Sequence, residues 1–83
     1  MNIDDLELGK LYRLEYPNKT VTIAKLDSIE RYSATGMPTD LIFKYISGDD
    51  KLVKASSLPD DLFAIPERLV PYFKSIKEWK VLR

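Results

Sequence analysis

Eighty-three residues, 45% hydrophobic and 31% charged, with no cysteine and no histidine, describe one small domain near the lower size at which a core sustains itself. The composition excludes disulfides, thiolate or imidazole metal ligands, and nucleophiles that rely on a histidine base. Thirteen basic residues cancel thirteen acidic ones, which speaks against a dedicated duplex-DNA binder, because neutralising phosphates takes a basic excess.

The charges are unevenly spread. Asp4, Asp5 and Glu7 stand at the start without a base, whereas Arg68, Lys74, Lys77, Lys80 and Arg83 outnumber Glu67 and Glu78 at the end. The N-terminal MNIDDLELGK is acidic and lacks a long apolar run. Neither a signal peptide nor a membrane span is expected there, and a cytoplasmic location is.

From Lys10 to Ser57 the pattern is strand-rich. KLYRLEY puts Tyr12, Leu14 and Tyr16 on one side and Leu11, Arg13 and Glu15 on the other. PNK is a tight turn into TVTIAKLDSIERY, where Val21 and Ile23 alternate but Leu26 and Ile29 slip out of phase. Such a slip predicts a β-bulge, which lets a long strand bend and serve a curled sheet. The connection SATGMPTD follows, and DLIFKYI then sets Leu41, Phe43 and Tyr45 opposite Ile42, Lys44 and Ile46. SGDD signals a turn, and KLVKASS reads as a fourth strand.

Beyond Ser57 the period changes, so residues 58–83 read as mainly helical within a single domain spanning 1–83. SSLPDDLFAI has a serine N-cap, a proline and two acids, the signature of a short helical turn. In PERLVPYFKSIKEWKVLR, Leu69, Tyr72, Phe73, Ile76, Trp79 and Leu82 recur at spacings of three and four, which predicts an amphipathic helix starting near Pro71. The KVLR end is expected to leave that helix as an extended tail.

LELGKLYRLEY entering through Gly9, the bent second strand, the hairpin LIFKYISGDDKLVKASS and the turn at LPDD together resemble an SH3-like small barrel over roughly residues 6 to 64. The likeness lies in element order. It implies an α+β fold, a curled antiparallel sheet of four to five strands, used mainly to bind proteins, peptides or nucleic acid. In that family the last strand follows the short helical turn, where this sequence offers a helical period instead.

No nucleophile with a matching base is present. The pairs Asp4-Asp5, Asp49-Asp50 and Asp60-Asp61 lack the converging oxygens that magnesium or calcium needs and read as a terminus, a turn and a helix start. The expectation is therefore a binding module without catalysis, metal or cofactor. SATGMPTD supplies the recognition element: Gly36 takes a positive φ, Pro38 extends Met37, and Thr39 or Asp40 bonds back to the backbone. Loops on small rigid scaffolds often carry recognition, and a methionine is an adaptable apolar contact. Tyr32, Thr35, Met37, Thr39, Phe43 and Tyr45 form the expected protein-binding surface, and the expected role is that of an adaptor or a small inhibitor of the sort phages and mobile elements encode.

Two other functions compete. Arg13, Lys25, Arg31, Lys44 and Lys54, interleaved with Tyr32 and Tyr45, suit an RNA or single-strand binder. Self-assembly, including a homodimer contact, through the C-terminal helix or an open sheet edge is the third, since Trp79 and its aromatic neighbours suit interface hot spots.

Overall fold

The computed structural model describes residues 5–80. Five antiparallel strands, β1 (Leu11–Glu15), β2 (Val21–Arg31), β3 (Pro38–Gly48), β4 (Leu62–Pro66) and β5 (Ser75–Glu78), lie in the order β4-β3-β2-β1-β5. A five-residue helix, α1 (Lys51–Ala55), sits between β3 and β4, and a 3-10 helix (Glu67–Tyr72) leads into β5. No ladder joins β4 to β5 among the described residues, so the expected antiparallel sheet of four to five strands has five and is not closed into a barrel.

Alternation explains β1: Tyr12, Leu14 and Tyr16 are buried while Leu11, Arg13 and Glu15 are half-exposed. The turn after it is tied by Tyr16 N–H to Thr20 O (2.9 Å) and Lys19 N–H to Tyr16 O (2.9 Å), with Lys19 at φ 73. The slip in β2 is real: the β2–β3 register shifts at Ile23/Ala24, Leu26/Ser28 and Glu30/Arg31. Each shift adds local twist, and together they let both long strands curl, so that inward residues from all five strands meet in one cluster. At its centre Phe43 makes an edge contact with Tyr12 (6.3 Å between centroids) and stacks with Phe63 (5.9 Å).

Where β3 ends, Gly48 adopts φ +88, and an added Cβ would lie 2.3 Å from the Val21 carbonyl oxygen. The chain then turns into α1. The Asp49 carboxylate accepts the Lys51 N–H at 3.0 Å, and Lys54 pairs with Asp50 one turn back. KLVKASS is therefore a helical turn and not the expected fourth strand. In the next segment Ser56 Oγ donates to Leu62 O (2.7 Å) and accepts from Leu58 N–H (3.0 Å), and Asp60 and Asp61 take positive φ. The expected helical turn at LPDD is thus a loop that delivers the chain to β4.

The expected C-terminal helix is also absent among the described residues. Pro71 has no N–H to continue an α-helical ladder and sits inside the 3-10 helix, after which Phe73 is extended at ψ 140. Val70, Phe73 and Ile76 are buried, whereas Leu69, Tyr72 and Trp79 stay 46%, 58% and 42% exposed. An α-helix would have buried the second set. Instead a 3-10 helix, with three residues per turn, followed by a strand brings Val70, Phe73 and Ile76 inward, and β5 pairs with β1 through Leu14↔Ile76. Leu82 lies outside the described residues, as does most of the expected extended tail.

Candidate functional site: a hairpin arm and its flanking cleft

Beyond Leu41 the β2–β3 hairpin continues without a core: residues 30–40 contain no buried position. The arm keeps its shape through its backbone. Arg31 pairs with Pro38, Tyr32 N–H donates to Met37 O at 2.8 Å, and Gly36 N–H returns to Tyr32 O at 2.7 Å with Gly36 at φ +71. Arg31 donates to Gly36 O (3.0 Å), and Thr39 Oγ1 reaches back to Glu30 O (3.4 Å). Thr35 Oγ1 accepts the Met37 N–H at 3.3 Å.

None of these bonds uses the side chains of Tyr32 or Met37, which project 58% and 64% exposed from the closed end. An aromatic and a thioether thus stand at facing positions on a pre-organised turn. The backbone that carries them is already fixed before binding, so only side-chain rotamer freedom, chiefly that of the methionine, is given up on contact.

Along the outer side of the arm runs a cleft of about 580 Å³ whose floor includes Ile42, Leu52, Leu58 and Ala64 and whose rim carries Glu30 and Asp40. These two carboxylates face each other directly across the ladder, an arrangement that destabilises a sheet. Neither is within ion-pair distance of a cation among the described residues. The cleft is therefore an apolar trough with an uncompensated negative edge.

Of the six residues expected to bind protein, four gather at the arm: Tyr32, Thr35, Met37 and Thr39. Phe43 is 0% exposed and belongs to the core, so it is no surface anchor. Tyr45 points inward, half-buried against the core, with its hydroxyl donating to Gly48 O at 2.7 Å. It lies eight positions along the strand from Met37, about 26 Å at the usual rise. The cleft residues Leu52 and Leu58 escaped sequence reasoning because nothing in the local pattern shows that α1 and its following loop return beside the arm.

The five basic residues divide as well. Arg13, Lys25 and Lys44 share the outer face of the sheet with Lys77, which reading the last segment as a helix had separated from them. Arg31 is engaged at the arm and Lys54 by Asp50 on α1. Glu15 bonds Arg13 at 2.9 Å and also pairs with Lys74, which hold its carboxyl below the ordinary range. At the sheet edge Lys10 bridges Glu7 and Glu78, which raises the lysine and lowers Glu78. Burial pushes the Tyr16 hydroxyl up, against the bond it makes to Thr22.

Among the described residues no three acidic side chains gather as a metal site, and no helix is long and apolar enough to cross a membrane. Comparison with known proteins found no matching family, no matching curated protein and no matching solved structure.

Proposed function

We propose that the chain is a non-enzymatic protein-binding module, an adaptor or inhibitor, that inserts the tip of its β2–β3 hairpin into a partner while the flanking cleft receives a basic, apolar segment of the same partner. The observation that carries this reading is the pair Tyr32 and Met37, more than half exposed at the end of an arm that contributes nothing to the core. Folding requires neither side chain there, and a tyrosine beside a methionine is chemistry suited to interfaces. The acidic rim adds direction, since Glu30 and Asp40 repel each other until a cation lies between them.

The element order supports placing the fold with SH3-like small barrels: a meander of four strands, a 3-10 turn, and a fifth strand returning beside the first. Scaffolds of that sort leave recognition to loops and strand faces, which agrees with a binding role.

Affinity capture from lysate of the source cell, with nuclease-treated and untreated halves, tests the proposal. The expected result is one protein retained equally in both halves by the unaltered chain and lost by Tyr32→Ala and by Met37→Asp. Retention unchanged by both substitutions overturns the assignment to the hairpin tip.

A further inference from the structure

The outer face of the sheet is segregated by charge, and its cationic half is distinct from the hairpin arm. Across β5, β1 and β2 the register sets Lys77 opposite Arg13 and Arg13 opposite Ile23, with Leu11 opposite Lys25 in the next row. Trp79 continues the second row, its N–H donating to Leu11 O at 2.8 Å. Lys25 in turn faces Lys44 on β3. Two directly opposed like-charge pairs therefore stand on one face, each unfavourable for the sheet. Glu15 alone offsets them within this half, through Arg13; Lys25 and Lys77 have no carboxylate within ion-pair distance among the described residues.

Between these cations the surface is apolar. Leu11 and Ile23 are half-exposed and form a floor, and Trp79, the chain's one tryptophan, is 42% exposed beside them. Toward β4 the sign reverses, because Asp27, Asp60 and Asp61 border the same depression as Lys44. A polyanion is repelled from that side and confined to the strip over β5, β1 and β2.

We infer that this strip is a second binding site, for the backbone of a single-stranded nucleic acid, with Arg13, Lys25 and Lys77 on successive phosphates and Trp79 stacking a base. Charge complementarity selects a polyanion. The aromatic platform over an apolar floor selects one that carries flat bases over a polypeptide of acidic residues. An exposed sheet face suits an unpaired strand, whose bases are open to stacking.

The test is quenching of Trp79 fluorescence in the full-length protein by a short oligothymidylate and a short oligouridylate at low salt, repeated across ionic strengths, with polyglutamate as the control polyanion. Three phosphate contacts predict a slope of log K against log salt of about −2 for a single strand, falling to about −0.7 in the double variant Lys25→Gln/Lys77→Gln. Trp79→Ala, followed by anisotropy of a labelled oligonucleotide, is expected to weaken binding about tenfold or more. Far-UV circular dichroism of each variant establishes that the sheet is retained. Absence of quenching at low salt, binding indifferent to the lysine substitutions, or equal affinity for polyglutamate each overturns the inference. Met37→Asp is expected to leave the oligonucleotide affinity unchanged, which separates this site from the hairpin arm.

Discussion

A threonine buried at the junction of sheet and helix gives the sharpest test of how the scaffold is held. Thr22 is 1% exposed; its hydroxyl donates to Asp49 O at 2.6 Å and lies 2.8 Å from the Tyr16 hydroxyl. Because the threonine proton is committed to Asp49, Tyr16 is the donor in the second bond. Thr22→Val fills the same space but orphans two groups at once, the nearly inaccessible Tyr16 hydroxyl and the half-buried Asp49 carbonyl. A buried polar group left unpaired costs about 1–3 kcal/mol, so the two together predict a loss of about 2–6 kcal/mol. That is a large share of the roughly 4–12 kcal/mol expected for a domain of this length. Tyr16→Phe removes a donor without stranding one, at about 0.5–1.5 kcal/mol. In the Tyr16→Phe background, Thr22→Val leaves only the Asp49 carbonyl unpaired, so its cost falls by about 1–3 kcal/mol. Urea unfolding followed by far-UV circular dichroism measures all four corners of this cycle. A loss within about 0.5 kcal/mol for Thr22→Val, the range of a surface change, or a coupling of zero, refutes the network.

Gly48→Ala must place a methyl group against the Val21 carbonyl at positive φ; it is expected to destabilise by at least about 2 kcal/mol, read in the same urea transition. Phe43→Ala removes the ring between Tyr12 and Phe63 and is expected to cost about 3–5 kcal/mol; a loss below 1 kcal/mol, estimated as roughly a surface effect, contradicts its central place. The pH profile follows from four shifted groups. Glu15 and Glu78 are lowered from 4.5, so their contribution is complete above that value and lost as pH falls through the folded values. Tyr16 is raised from 10.0 and Lys10 from 10.5, so their contribution is complete below those values and lost as pH rises beyond them. Thermal melts across pH are expected to be flat between these limits, and Glu78→Gln to shrink the acid limb.

Much of the meander was legible because strands with one buried face write that face into the sequence at period two. Tyr12, Leu14 and Tyr16 gave β1, and the phase slip from Ile23 to Leu26 announced the bulges of β2. The C-terminal segment misled for a physical reason: Leu69, Tyr72, Phe73, Ile76 and Trp79 stand at spacings of three and four, as a helix demands, although a 3-10 turn and then a strand carry them and only Phe73 and Ile76 of the set are buried. Pro71 was the contrary signal. Lys51–Ala55 misled in the other direction, since five residues are too few to distinguish a helical turn from a strand by pattern. Of the candidate site, Tyr32 and Met37 were legible as residues around a turn signal. The cleft and the cationic strip were not, because they depend on which strands are neighbours, and the pairing of β5 with β1 across some sixty residues of chain leaves no local trace.

The proposed binding role rests on the hairpin tip. Calorimetric titration of the captured protein partner with the unaltered chain and with Met37→Asp decides it: a central contact predicts at least a roughly thirtyfold loss of affinity, with an unchanged urea transition for the variant. Affinities within twofold of each other contradict the claim that this protein binds through the end of its β2–β3 arm.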